Sequence, residues 1–494
     1  MEITDLTPAE RRVWRAFPLD EGVDFREGAD DDPDHDDPEH GGSWGPERTV
    51  RAEVLRALLL GGPTREGEVA GLKLTGARIT GELRLKYGVV EHAVRLRSCH
   101  FERTPQLYGA RLRVLVLSDS TLPELTAGAL HTEGVLRMNR CRTTGPVRLA
   151  GAQIGGAVFL DGARLGTPDA RRGEPLLQLN NAVIGADVQA AGLVAHGRIR
   201  LNETTVTGQV NLDDSELHVP GGTALHAENL SVGTDLRAKR LRAHGRVNLS
   251  GARVPRHLSL AHARLSHPGG QALRASSCVI GELWLRGAAP IEGEVNLSRS
   301  QIDLLHIRPE TWPDCVRIDG LTYRSLAPHL PAEQRLPLLE REKEGYLPAS
   351  YEQLTTAYRA AGDEAAARTV QLAKLRRHRR TLPRYARAWG HLQDVTVGYG
   401  FRPLRAAGWL FALLLTGTLA FALHHPRPLK SGEAPDFNPV FYTLDLLLPI
   451  IGFGQEAAFA PHGWYQWLSY LLIVTGWILA TTTAAGVSRS LSRQ

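Results

Sequence analysis

The chain has 494 residues, 43% hydrophobic and 22% charged, with 50 glycines and a net charge of +5. It is too apolar for a disordered chain and its glycine lacks collagen's every-third-residue rule. Its four cysteines, at 99, 141, 278 and 315, are too scattered for a disulfide scaffold or a CxxC metal site. The start, MEITDLTPAERRVW, carries no apolar signal run, and the long apolar runs fall C-terminal to Arg405.

Residues 1–65 read as a prologue of N-terminal helices around an acidic loop. Thr7 is placed to cap a helix running through Phe17, with Pro8 at its first position and Glu10 completing a capping box. From Asp20 to Glu39 there are eleven acidic residues and one arginine. A calcium loop would need a central glycine and a closing glutamate at the right spacing, so a solvated, mobile loop is expected. Val50 to Leu60 has helical spacing with one apolar face and suits a cap on the repeat region C-terminal to it.

A repeat fills residues 66–327. Blocks opening GPVRLAGAQIGG at Gly145, GRIRLNETTVTG at Gly197 and GRVNLSGARVPR at Gly245 align, and Gly-Ala-Arg/Gln-aliphatic recurs at Gly76, Gly109, Gly151, Gly162 and Gly251. Val247 and Leu249 alternate with Arg246 and Asn248, a two-residue period that puts the aliphatic pair inside and the polar pair in solvent. Short strands with small-residue corners at constant spacing predict a mostly β fold, a β-solenoid of pentapeptide-like or β-helix repeats. At about two 11–12-residue units per coil it would have roughly ten to eleven coils. Arg148, Arg198, Arg200, Arg237, Arg246 and Arg256 offer a basic stripe, but Asp213, Asp214 and Glu216 interrupt it, and stacking aromatics are nearly absent. A protein partner is therefore expected on the solenoid, and no nucleic acid.

Residues 328–382 read as a helical hairpin resembling one tetratricopeptide-type unit. Ser350 would cap the first helix, Tyr351, Leu354 and Tyr358 would share a face, Gly362 would turn, and Ala366, Val370 and Ala373 would return. Residues 383–494 read as a membrane domain. Arg376, Arg377, Arg379, Arg380, Arg384 and Arg387 are candidate contacts to anionic lipid headgroups, ahead of two predicted transmembrane helices at 406–423 and 463–487. Basic flanks outside the pair predict a multi-pass plasma (inner) membrane protein with both termini cytoplasmic.

Between the spans, the apolar segment 438–461 holds Gly452, Phe453, Gly454 and Gln455. The layout resembles the two-helix pore unit of potassium-type channels, in which four copies present a glycine-rich loop, so this reading needs a homo-oligomer. Pro449, Gln455 and Asp445 depart from that pattern, which favours an interfacial hairpin. No GxGxxG opens a helix after a strand, and no HExxH, GxSxG or P-loop occurs; no catalytic residue, metal ligand or cofactor is predicted.

VRAEVLRALLLG at Val50, GARITGELRL at Gly76, SYEQLTTAYRAAGDEAAAR at Ser350, VGYGFRPLRAAGWL at Val397 and FYTLDLLLPIIGFGQE at Phe441 together resemble a group of actinobacterial repeat-containing two-span membrane proteins, catalogued as membrane-associated oxidoreductases. The resemblance implies a flavin or nicotinamide cofactor. The residues themselves point to a membrane-tethered cytoplasmic solenoid acting as a binding or scaffold surface. A channel-like oligomer and a membrane-associated oxidoreductase are the alternatives.

Overall fold

The computed structural model describes residues 5–26, 35–168, 175–383, 403–430, 434–448 and 452–491, with side chains in the helices at 403–423 and 464–491 described for 408–423 and 464–479. The chain divides into two compact units, Met1–Gly362 and Asp363–Gln494.

The first unit is mostly β, a β-solenoid of about eleven turns. All its paired strands run parallel, in an 18-stranded and a 16-stranded sheet. Each 11-residue unit of the repeat folds as two short strands, so a coil has four, such as Gln153–Ile154, Val158–Phe159, Arg164–Leu165 and Pro175–Gln178. Register explains the longer sequence period. Ile199 pairs with Leu225 and Leu225 with Val247, steps of 26 and 22 residues that make one 48-residue block. The longer step carries an excursion around Gly221, which the next block repeats around Gly269.

Two backbone demands account for the recurring small-residue corners. In the Gly-Ala-Arg/Gln motif the glycine takes a left-handed φ, +68° at Gly151 and +72° at Gly251, and the following alanine is sealed inside. At Gly185 and Gly233 the coil behind stands so close that a Cβ would run into the carbonyl oxygens of Gly155 and Thr207. Between the corners, Val247 and Leu249 are each 1% exposed, as the alternation requires, and Arg246 faces outward. Asn248 does not reach solvent. It is 4% exposed, its side-chain amide donating to Glu228 Oε1 at 2.8 Å and its Oδ1 accepting from Ser250 Oγ at 2.8 Å. Glu228 from the coil before and Ser250 two residues on take up its amide, which strand alternation alone does not reveal.

The prologue is part of the solenoid. Helix α1 (Pro8–Ala16) has the expected capping box, Thr7 Oγ1 accepting from the Glu10 amide at 3.2 Å and Glu10 Oε2 from the Thr7 amide at 2.9 Å. Strands Gly22–Asp24 and Thr49–Arg51 extend the two sheets by pairing with Gly71–Thr75 and Arg78–Thr80. Helix α2 (Ala52–Gly61) buries Leu55, Leu58 and Leu59. The acidic loop departs from expectation: Asp36 pairs with Arg48 at 2.8 Å, and Asp37 and Glu39 clamp Arg142 at 2.8 and 2.6 Å. Its described part is docked, because the solenoid flank offers arginines; residues 27–34 lie outside the described residues.

After the last coil come α3 (Ala332–Glu340) and α4 (Pro348–Ala360). Tyr351, Leu354 and Tyr358 are buried on one face of α4, but Leu347 and not Ser350 is its N-cap, since Pro348 already occupies the first helical position. In the second unit α5 (Glu364–Thr381) is capped by Asp363 and buries Ala366, Val370, Gln371 and Leu372; Ala373, expected on that face, is only half-buried. There follow α6 (Pro403–Leu423), α7 (Pro439–Leu447), the single-turn α8 (Gln455–Ala458) and α9 (Trp464–Leu491). Phe421, Tyr442, Leu446, Leu447, Phe459 and Leu472 form their common core. Gly417 meets Thr443, and Gly476 meets the Leu447 carbonyl, where any Cβ would collide; small residues thus set the closest helix approaches.

Among the described residues no helix is long and apolar enough to cross a membrane. The helices expected at 406–423 and 463–487 are present. They run over Pro403–Leu423 and Trp464–Leu491.

Candidate functional site

The segment between α6 and α9 brings two of its four predicted site residues, Phe453 and Gln455, onto one carboxylate. Asp445, on α7 and 6% exposed, accepts hydrogen bonds from the amides of Phe453, Gln455 at 2.7 Å and Glu456 at 3.1 Å. Gly454 turns the chain there with φ +79°, a conformation glycine adopts without strain. Gln455 is buried and ties the loop to the start of α7, its Nε2 donating to the Asp436 carbonyl at 3.1 Å and its Oε1 accepting from the Asn438 amide at 3.2 Å. Phe453 is 45% exposed, with its ring 5.2 Å from that of Phe441. The carboxylate that interrupts the apolar pattern is thus the latch of the loop. Pro449 lies outside the described residues.

Arg376, Arg377, Arg379 and Arg380 all fall on the last turns of α5, half-buried or exposed; Arg384 and Arg387 lie outside the described residues. Cys99, Cys141 and Cys278 are sealed into solenoid corners. Burial pushes their thiols up to about 12, 12 and 11, which keeps them protonated and unreactive at neutral pH. Among the described residues no group of three or more His, Cys, Asp or Glu is placed to hold a metal ion.

The solenoid separates the arginines of the basic stripe into two kinds. Arg237 pairs with Asp213 at 2.6 Å, Arg148 with Glu124, and Arg256 with Asp235 at 3.9 Å. Arg198, Arg200 and Arg246, joined by Arg274, have no carboxylate within 4 Å among the described residues, although the Asn248 hydrogen bond, helped by the Arg274 charge, holds Glu228 below the usual carboxylate range; the Nε of each is buried without a hydrogen-bond partner, as is that of the paired Arg237. These four share one outward face of the 16-stranded sheet. Register sets Arg200, His226, Asn248 and Arg274 in one column along the solenoid. Arg246 stands over Thr223, two residues along the same strands.

A third column is histidine. His196, His218 and His244 stack with ring centroids 5.1 and 5.2 Å apart, one ring per coil and nearly parallel. Burial, and then the neighbouring His218, holds His196 below the usual imidazole range. Across four coils, from His196 to Arg274, these three columns contain no carboxylate. Glu216 and Glu228 border them, 3.7 Å from His218 and 3.4 Å from His226, and Glu294 closes the far end, engaged by Arg317 at 2.7 Å and Lys343 at 2.6 Å. Neither Arg274 nor the histidine column stood out in the sequence. The signal was present in the aligned blocks, which end alike at His196 and His244.

These features define a parallel β-solenoid with a cationic sheet face, followed by a helical unit. Compared with protein-family models, curated proteins and solved structures, the chain matches none.

Proposed function

We propose that this protein is a membrane-tethered β-solenoid that presents its sheet faces as a binding or scaffold surface on the cytoplasmic side. The observation that carries the tether is the outward surface of α6 and α9. Phe411, Leu415, Leu419 and Leu423 recur every fourth residue at 55–70% exposure, and Trp464, Trp467, Leu471 and Val474 at 56–78%. An apolar patch of this extent marks an interaction surface, and indole rings at a helix start suit the interfacial level of a bilayer. The arginines at the end of α5 fit anionic headgroups beside it. Solenoid stacking leaves long rows of outward side chains at fixed spacing, the usual recognition surface of repeat proteins.

The test is fractionation with carbonate washing, combined with reporter fusions at residue 1 and residue 432. Retention in the membrane fraction with the two reporters in opposite compartments is expected. Release by carbonate, or both reporters in one compartment, overturns the tether. The resemblance to membrane-associated oxidoreductases adds a cheap check, since bound flavin or nicotinamide absorbance in the purified protein would favour that reading instead.

A further inference from the structure

We propose that the face carrying Arg198, Arg200, Arg246 and Arg274 is a docking site for an acidic, extended peptide segment of a partner protein. The inference rests on the reading of the solenoid as a binding surface and names the chemistry of its ligand. Four guanidinium groups stand on one face within four coils, at roughly 4.8 Å per coil, with no carboxylate within 4 Å of any of them among the described residues and only Glu228 acting on Arg274 from farther away. Like charges so placed repel one another, and a carboxylate-rich partner relieves that repulsion while offering guanidinium its bidentate acceptor.

The solenoid already shows how such a segment sits. Earlier on the same sheet, Asp37 and Glu39 of the chain's own acidic stretch clamp Arg142 at 2.8 and 2.6 Å, and the Pro38 carbonyl lies 2.8 Å from His100 Nδ1. His100 and Arg142 belong to one column two coils apart, bridged by Thr121. Arginine takes the side-chain carboxylates and histidine the peptide carbonyl. The unpaired face offers both residue types in a denser array, with Thr223 as a further hydrogen-bonding group beside Arg246. It carries no Phe, Tyr or Trp on which nucleic-acid bases would stack, which favours a peptide over a single-stranded nucleic acid.

The experiment uses the full chain in detergent micelles and the fluorescence anisotropy of a labelled decaglutamate peptide. Decathymidylate and decaglutamine serve as comparison probes at the same ionic strength. Saturable decaglutamate binding is expected, with about tenfold or greater loss on replacing the four arginines together by Gln. If that variant misfolds by circular dichroism, Arg200→Gln and Arg274→Gln alone, both at outward positions, are each expected to weaken binding about threefold. Absence of saturable decaglutamate binding, or binding untouched by these substitutions, overturns the proposal. So does decathymidylate binding as tightly with the same arginine dependence, which would assign the face to nucleic acid. Membrane retention of the same preparations is read separately, so failure of the docking site and failure of the tether are distinguishable.

Discussion

Leu249 and Leu415 are both leucines in regular secondary structure, yet one is 1% exposed and the other 55%. In the solenoid, aliphatic side chains point inward from all four strands of a coil and stack on the coils before and after, so the apolar surface is consumed within the unit. In the C-terminal unit a small aromatic core around Phe421 and Tyr442 holds the helices together, and apolar side chains remain on the outside as well. Burial follows the strand period in the first region. In the second, large apolar side chains such as Phe411, Leu419, Trp464 and Trp467 stay exposed outside the core, and the proposed tether rests on that excess.

The sharpest way to break this contrast is to place a charge at each leucine. Leu249→Asp buries an unpaired carboxylate and is expected to cost about 4 kcal/mol or more, abolishing the solenoid's cooperative melting by circular dichroism. Leu415→Asp is expected to leave that transition in place while weakening membrane retention after carbonate washing. Equal solenoid destabilisation by both would erase the distinction.

A smaller effect tests the core of the second region. Gly476→Val drives a branched side chain into the Leu447 carbonyl and is expected to cost about 2–3 kcal/mol. Limited proteolysis in detergent should then cut near α7 while the solenoid stays resistant; simultaneous loss of both would show that the regions melt as one.

Asn248→Asp sharpens the solenoid side. The new carboxylate would face Glu228 Oε1, which now accepts from the Asn248 amide at 2.8 Å. A cost of about 1–2 kcal/mol at neutral pH is expected, shrinking on acidification as one carboxylate takes up a proton. A pH-independent shift in melting temperature would contradict that pairing.

The smallest effect is on pH. Burial holds His196, His267 and His306 below the unfolded value of 6.5, so the folded state binds fewer protons there, and stability present above 6.5 is lost as pH falls below it. A hydrogen bond from Asn248 holds Glu228 below its unfolded 4.5, and at Glu294 burial pushes upward but is outweighed by the bonds from Lys343 and Gln271. Their contribution is present above 4.5 and lost as pH falls through the folded values. Both sets act in one direction, so the solenoid's melting temperature should decline in two stages on acidification. A rise between pH 7 and 6 would contradict the histidine assignment.

The solenoid's strands, its corner glycines and the capping box at Thr7 were legible in the amino-acid sequence, because each is set by local sterics and a short repeat period. Val247 and Leu249 could be assigned inward from alternation alone. Asn248 could not, since its burial depends on Glu228 and Ser250 reaching over it. The docking of Asp37 and Glu39 on Arg142 joins residues more than a hundred positions apart, and composition alone made that stretch look solvated. The same holds at Asp445, which interrupts an apolar run when read along the chain and gathers the amides of three residues once the loop folds back. Side chains that alternate are placed by their neighbours in sequence. Charges and amides that pair across coils are placed only when stacking brings distant segments together, and tertiary structure alone separated the neutralised arginines from the four that stand unpaired.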